Sequence, residues 1–590
     1  MHKNYLSFGV HFHQPLGESP HVIMENCEKI YKPFLKLMEK YPDFKFLFHV
    51  SGCLLEWMEE NQPECLDWIR QFLSRGQMEL LAGGFYEPFF PLLREEDQIQ
   101  QIQLYKKYAR ERFNTDPGGI WLAEKVWEFH LPKSLAASGI AYTLLDDHLF
   151  HAAGILGQSL YGYYLVEHDN HVTAVYPVQG SLLGLSPFQD PEATVEWMIS
   201  ELNNAGGGLV LMFEAGEKWG PSPGSAELLY EKEMLEQFLR LVLEKQKKDK
   251  LITAHAGDFI KEHGPEGRVY LPSSSSRDLG VWSLPLETRG LLEKIYEGIG
   301  KGELKGGWTA FVKGGVWRNI LVQYPEINQL QKRISQLSYK LADLKGAVLE
   351  KAQDHLCRAQ CHTPFWHGPS AGVYLLNIRQ ENYSNLIRAE KEWEQAVYPD
   401  GVFAEVEESD LDCDGEKEVR ISTPFWDFLV HPSYGGGLSE LAEKENEINL
   451  DFVLRRRKEA YHAEYLEERR GGTGIDDAQR GFLNYLIYDW YRRYSFLDHF
   501  FHPDTKLADF WQNNYGEQGD FVNQPYGFTF SKNDQELIFT LEREGGVWFA
   551  QERVPVRIRK AFHVSMKERG LRVVYELSNL LNREISFWFA

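Results

Sequence analysis

Little in this chain is disulfide-forming, basic or continuously apolar. Six cysteines (Cys27, Cys53, Cys65, Cys357, Cys361 and Cys413) are spread over 590 residues without a CxxC pair. That pattern excludes a disulfide frame or a zinc ribbon and fits reduced thiols in a cytoplasmic location. Cys357 and Cys361, four apart, are expected to pack on one helical face. Basic residues number 63 against 86 acidic ones, a formal charge of -23. A surface of that sign repels phosphate backbones and anionic headgroups, so neither nucleic acid nor membrane is an expected partner. No apolar run is long enough to cross a bilayer. The start, Met1 to Ser7, has no basic segment, apolar segment or small-residue cleavage site, so no export is expected. Aromatics are plentiful instead, 14% with 16 Trp and 29 Tyr. Such amphipathic rings serve either as core or as platforms for sugar rings. A homo-oligomer is left open.

At 590 residues the chain exceeds what one core supports, and about three packed units are expected. Over residues 1–285, short apolar runs alternate with amphipathic stretches, the signature of repeated β-α units in an α/β fold. Strands are expected at 6–10, 45–50, 78–82, 119–122, 141–145, 209–213 and 251–254, enough to close a barrel. Polar residues follow nearly every one: His11 and His13, Ser51-Gly52, Gly83 to Glu87, Glu124, Asp146 and Asp147, Glu214 to Glu217, and His255. Loops at the carboxyl ends of parallel barrel strands carry the chemistry, so this recurrence points to one shared site. Residues 286–398 show helical periodicity at 325–351 and 377–398. From 399 to 590 short strands separated by turn residues predict a β-sandwich. The chain stops at Ala590, one residue past the apolar run 585–589, where a sandwich is part-way through its strands; a truncated sandwich is expected.

Two histidines two apart, His11 and His13, point to the same side at a strand end and suit either a metal or hydrogen bonding to hydroxyls. Gly83-Gly84-Phe85-Tyr86-Glu87-Pro88 allows close backbone approach and then presents an aromatic and a carboxylate; it also reads as a structural turn. In Trp121-Leu122-Ala123-Glu124-Lys125-Val126-Trp127, a carboxylate stands between indoles and beside a cation. A nucleophile that attacks an anomeric carbon needs such a place, ionised by the cation and walled from water. The alternative is an ordinary Glu–Lys surface pair. Asp410-Leu411-Asp412-Cys413-Asp414-Gly415 has the alternating Asp of a calcium loop, but the twelfth position is Ile421, so a plain turn competes with calcium.

His11 to Gly17 (HFHQPLG), Glu79 with Gly83 to Pro88 (GGFYEP), Trp121 to Val126 (WLAEKV), Gly216 to Gly220 (GEKWG) and Ala359 to Gly368 (AQCHTPFWHG) together resemble the five ordered motifs of glycoside hydrolase family 57. Further stretches resemble its 4-α-glucanotransferase and α-amylase branch, namely Trp317-Arg318-Asn319, Tyr324-Pro325-Glu326, Asp412 to Glu416, His431 to Gly436 and Ser495 to Phe500. The resemblance implies a (β/α)7 barrel, a distorted relative of the TIM barrel, with a helical subdomain closing the active site and a C-terminal β-sandwich. It implies a retaining enzyme on α-1,4-glucans (maltooligosaccharides, maltodextrin, starch) that needs no cofactor and no metal. Glu124 takes the nucleophile's place. His11, His13, Gln14, Glu79, Tyr86, Trp121, Asp147, Glu217, Trp219, Trp366 and His367 are the expected substrate-binding residues.

Where the family has its general acid, an Asp before Gly-Glu-Lys, this chain has Ala215, which carries no proton to give. His362 and Thr363 likewise replace a common Asn-Asp pair. Three origins of Ala215 are open: a substitution introduced by mutagenesis, natural loss of catalysis, or replacement of the acid by Glu214. The intact motifs elsewhere favour the first. On a strand Glu214 is expected to point away from the face of residue 215. The rival readings are an α-glucan-binding protein without catalysis and a metal-dependent deacetylase or mannosidase with His11 and His13 as ligands.

Overall fold

The computed structural model describes residues 3–183, 190–219, 225–368, 372–451, 453–462, 485–549 and 551–590. They divide into one unit of Met1–Pro285, Leu291–Gln323 and Gln360–Ile378, and another of Leu286–Gly290, Tyr324–Ala359 and Arg379–Ala590.

In the first unit the strands are β1 (Asn4–Phe12), β2 (Phe46–Val50), β3 (Met78–Leu80), β4 (Gly119–Ile120), β5 (Tyr142–Asp146), β6 (Tyr164–His168), β7 (His171–Val178), β8 (Gly208–Ala215), β9 (Ile252–Thr253) and β10 (Gly267–Arg268). Parallel pairing runs β1–β2–β3 and β4–β5–β7–β8–β1, and a parallel bridge between Ala82 and Ile120 joins the two series. The circuit closes on seven strands, the (β/α)7 barrel. One wall strand differs from the sequence reading. β9, expected in the wall, pairs only with Tyr5 and Leu6 at the start of β1. Its place belongs to β7, between β5 and β8. β7 is the return arm of a hairpin with β6 that turns at Asp169 and Asn170, both left-handed.

Leu47, Trp121, Tyr142, Leu144, Tyr176, Leu209, Leu211 and Phe213 form a buried cluster inside this ring. Side chains alternate along a strand, so Ala215 faces the same side as Leu211 and Phe213. Burial of each large apolar group here contributes about 1.5–3 kcal/mol. The helices outside are set by their ends. Glu95–Phe113 begins with three acidic residues, finishes with Arg110 and Arg112, and stops at left-handed Asn114, so its dipole is matched at both ends. Pro191–Ala205 is capped by Asp190, which accepts from the Glu192 amide at 2.9 Å, and ends at Gly206.

The second unit holds a five-stranded antiparallel sheet, β11 (Glu405–Ser409) to β15 (Ile448–Asn449), and a four-stranded one, β17 (Gly527–Lys532) to β20 (Leu571–Asn579), with β16 (Phe500–Phe501) paired to β21 (Trp588–Phe589). Ile421, Phe428 and Val430 from one sheet and Phe539, Ile558 and Phe562 from the other share one core, which makes a β-sandwich. The acidic turn ahead of β12 (Glu418–Ser422) spends its carboxylates on backbone. Asp410 and Asp412 both accept from the Asp414 amide at 3.0 Å, and Glu418 accepts from the Leu411 amide at 2.8 Å. Beside the sheet, Arg333 on helix Pro325–Leu341 meets Glu390 at 3.0 Å and Glu440 at 3.1 Å, and Arg420 pairs with Asp427 and Glu390.

Candidate active site

The carboxyl ends of β1, β2, β4, β5 and β8 and the loops after β3 and β10 gather charged groups at one end of the barrel. From β1 come His11 and His13, and from β2 comes His49. The His11 and His49 Nδ1 atoms are 2.7 Å apart, and both rings are held neutral by burial. Glu87 reaches all three imidazoles: Oε1 is 3.4 Å from His11 Nε2 and 3.8 Å from His49 Nδ1, and Oε2 is 3.1 Å from His13 Nδ1. Glu87 is 2% exposed, yet neither carboxylate oxygen has a partner in hydrogen-bond geometry. Burial pushes its carboxyl up to about 8. Burial, the largest single influence on His13, lowers it, but Glu87, Cys361 and Glu217 together outweigh burial and carry His13 to about 9. The Gly83-Gly84 pair makes this approach feasible, because a Cβ on Gly83 would lie 2.3 Å from His49 Nε2.

A segment remote in sequence completes the cluster. Thr363 Oγ1 is 3.0 Å from His13 Nε2 and 3.7 Å from Cys361 Sγ. His362 donates from its amide (3.1 Å) and sets Nδ1 2.6 Å from the Glu87 carbonyl. Helix Ala347–Ala359 ends before Cys361, so Cys357 and Cys361 do not share a helical face, contrary to their spacing.

Glu124 stands at the end of β4 in a strained backbone. Glu124 and Lys125 are both left-handed, φ 51° and 50°, as is Glu87 at φ 52°. Non-glycine residues pay about 1–3 kcal/mol for such angles, and these outliers cluster where geometry serves function. Ser276 ties the kink down: its hydroxyl donates to Glu124 Oε2 at 2.7 Å and its amide to the Glu124 carbonyl at 2.6 Å. Burial pushes the Glu124 carboxyl up to about 7, against the Ser276 hydrogen bond and the Lys218 and Lys125 charges. Lys125 bonds to Asp146 at 2.6 Å and lies 5.8 Å from the Trp121 ring centre. Despite burial its pKa is raised, by Asp146 first and then by Glu214 and Glu124.

Ala215, in register with His11, ends β8 with its methyl on the barrel side. Glu214 has the outward strand position, but its carboxylate curls back to accept from the Ala215 amide at 3.0 Å and pairs with Lys218 at 3.1 Å. Its charge thereby acts on Lys125 alongside that of Glu124.

The other residues singled out from sequence divide into two groups. Glu217 accepts from the His13 amide at 2.7 Å and from Tyr31 at 3.0 Å, and Gln14 donates to the same Tyr31, so these three order the β1 end. Trp121 stacks on His11 at 4.7 Å and on Phe213 at 5.1 Å. Asp147 accepts from the Gly180 amide at 2.8 Å. His367 lies parallel to Trp282 at 4.3 Å, and Trp366 is buried nearby in the chain. Glu79, Tyr86 and Trp219 point elsewhere. Glu79 sits in the middle of β3 and accepts from the Gly257 amide at 3.1 Å. Tyr86 donates to Glu56 at 3.0 Å. Trp219 packs on Phe8 and Phe34 on the outer face of β1, with no exposed surface. His49, Cys361 and Ser276 were not singled out as site residues; the signal for His49 was its place at a strand end.

The profile of Glycosyl hydrolase family 57 matches residues 7–272. An Alpha-amylase 1 of Dictyoglomus thermophilum is 34% identical over 99% of this chain and 84% of its own length. The chain belongs to glycosyl hydrolase family 57. The alpha-amylase/4-alpha-glucanotransferase middle and C-terminal domain profiles match residues 315–392 and 410–590. A 4-alpha-glucanotransferase of Thermococcus litoralis is 33% identical over 97% of this chain and 84% of its own length. The crystal structure of the 4-alpha-glucanotransferase from that organism superposes with TM-score 0.88, covering 98% of this chain and 85% of that one. As in the sequence reading, the branch of the family is that of the amylases and 4-α-glucanotransferases. Among the described residues no helix is long and apolar enough to cross a membrane.

Proposed function

We propose that this chain binds α-1,4-glucans of the maltodextrin type at the carboxyl end of its barrel, with Glu124 in the nucleophile's position and residue 215 in that of the general acid. The observation that carries this reading is the contrast at two strand ends: Glu124 is held in a strained loop by Ser276, while Ala215 offers a methyl group. A retaining pair has its carboxylates about 5–5.5 Å apart, one to attack the anomeric carbon and one to protonate the leaving oxygen. With the second missing, the leaving oxygen of an unactivated glycoside departs without a proton, and glucans stay bound and are cleaved slowly. The relatives bear both transferase and hydrolase names, and either outcome follows once a glycosyl-enzyme forms on Glu124.

Calorimetric titration with maltooligosaccharides tests the binding half. Saturable binding is expected, and its absence defeats the reading. Restoring the acid by Ala215→Asp tests the other half: activity on maltodextrin supports a disabled enzyme, and binding without activity supports a glucan-binding protein. A second reading, in which Glu214 serves as acid, is favoured by its curl toward Lys125. On that reading Glu214→Gln removes whatever residual cleavage the chain has, and on the first reading it does not.

A further inference from the structure

We infer that His13, Cys361 and His362 form a binding site for a divalent transition metal such as zinc at the barrel's carboxyl end. Each offers a ligand atom, all within 4.8 Å of one another. An imidazole, a thiolate and a second imidazole are the donors that borderline-soft divalent ions select over calcium or magnesium. The second reason lies behind the ligands. A metal-bound imidazole nearly always gives its other nitrogen to a carboxylate or a backbone carbonyl, which fixes the tautomer and aims the ring. His362 has that partner, and His13 has a carboxylate facing it at ion-pair distance without hydrogen-bond geometry. His13 Nδ1 faces Glu87 Oε2 at 3.1 Å, and His362 Nδ1 lies 2.6 Å from the Glu87 carbonyl. In each ring Nε2 is then the coordinating atom. One residue, Glu87, orients both rings with its side chain and its backbone, and its left-handed φ of 52° is the conformation in which it does so.

The state of Glu87 supports the same assignment. Its carboxylate is buried among three imidazoles with neither oxygen in hydrogen-bond geometry. Leaving a buried polar group without a partner costs about 1–3 kcal/mol, more if charged, and such groups in a folded protein call for an ion or ligand that completes them. A metal on His13 Nε2 turns the Glu87 contact at Nδ1 into a strong charge-assisted hydrogen bond. Three protein ligands leave a fourth position, beside Thr363 Oγ1 at 3.0 Å from His13 Nε2, for water or for an oxygen of a bound molecule. The ligand set was invisible in the sequence because His13 and the Cys361-His362 pair lie at opposite ends of the barrel unit's chain.

The test is a titration of the full chain, freed of metal by chelator dialysis and kept reduced, with cobalt(II) followed by absorbance and zinc followed by competition with a chromogenic chelator. One equivalent of cobalt with a thiolate-to-metal charge-transfer band is expected. Cys361→Ser should remove the band, His362→Asn should weaken zinc at least tenfold, and Glu87→Gln, which alters only the orienting group, about 10- to 100-fold. Circular dichroism of each variant reports folding, and the wild-type band is informative even if a variant misfolds. Substoichiometric cobalt without a thiolate band, or a band that survives Cys361→Ser, overturns the assignment. Glucan binding is measured separately, so a failure of the glucan reading and a failure here are distinct results.

Discussion

In the sandwich unit Arg333 faces Glu390, Glu440 and Asp427, Arg420 faces Asp427 and Glu390, and Lys444 faces Glu394, so each charge of this buried network meets opposite charge. At the barrel's end burial is as deep, but like groups are crowded together. Three imidazoles, His11, His13 and His49, surround one carboxylate that lacks hydrogen bonds, a fourth, His362, meets the backbone carbonyl of the same residue, and Glu124 and Glu87 sit in strained backbone. The first arrangement is self-contained and holds helices to a sheet. The second is stable only because the rest of the barrel over-determines it, and it leaves donors, acceptors and a buried carboxylate to be completed by something that binds.

The largest effect is expected where the site lacks one group: Ala215→Asp should raise cleavage of maltodextrin by roughly 10²- to 10⁴-fold, read by reducing-end release, and Glu124→Gln added to it should abolish the gain. Next is the sandwich network. Arg333→Met takes the facing cation from buried Glu440 and leaves Glu390 and Asp427 to Arg420, and should cost about 3–5 kcal/mol in denaturant unfolding; a loss below about 1 kcal/mol would mean that these charges are not mutually compensated.

Glu124 tests the barrel in the other sense. Its folded pKa is about 7, raised from 4.5. The unfolded chain therefore loses this proton at lower pH than the folded one, and the penalty for holding Glu124 grows as pH rises from about 4.5 to 7. Glu124→Gln should consequently stabilise the protein by about 1–3 kcal/mol at pH 8 and by little at pH 4, measured by thermal unfolding. Equal effects at both pH values would place Glu124 in an ordinary solvated setting. An effect of similar size, confined to the titration of Glu124, is expected from Ser276→Ala, which removes one hydrogen bond to the carboxylate. Loss of about 1.5–3 kcal/mol from the charged form should raise the apparent pKa of any Glu124-dependent rate, with the fold unchanged.

Much of the barrel was legible because buried parallel strands read as apolar runs and the polar residues after them mark one end. β7 is hard to read because His171–Val178 carries Pro177 and follows a polar stretch, Glu167 to Asn170, that holds the end of β6 and the hairpin turn at Asp169 and Asn170. β9 resembled a wall strand because periodicity reports burial and not pairing. Among the charged residues, Glu79 and Glu87 share one motif, yet only Glu87 lies past the end of its strand, where barrel chemistry is found. Strand position separates them where motif membership does not. Trp219 illustrates the converse: it adjoins Glu217 in sequence, but it packs outward against Phe8 and Phe34. Pairings such as Ser276 with Glu124, or His13 with Thr363, span 152 and 350 residues and exist only in the folded chain.

On the proposed function this barrel keeps a working nucleophile and lacks only the proton donor. Incubation with α-maltosyl fluoride tests it most directly, because fluoride leaves without protonation: the Glu124 carboxylate forms a bond to the anomeric carbon as the carbon–fluorine bond breaks. Intact-mass spectrometry with peptide mapping should show one maltosyl unit esterified to Glu124, formed faster as pH rises through about 7. No adduct on Glu124 at any pH, in a chain that binds maltooligosaccharides, would contradict the account.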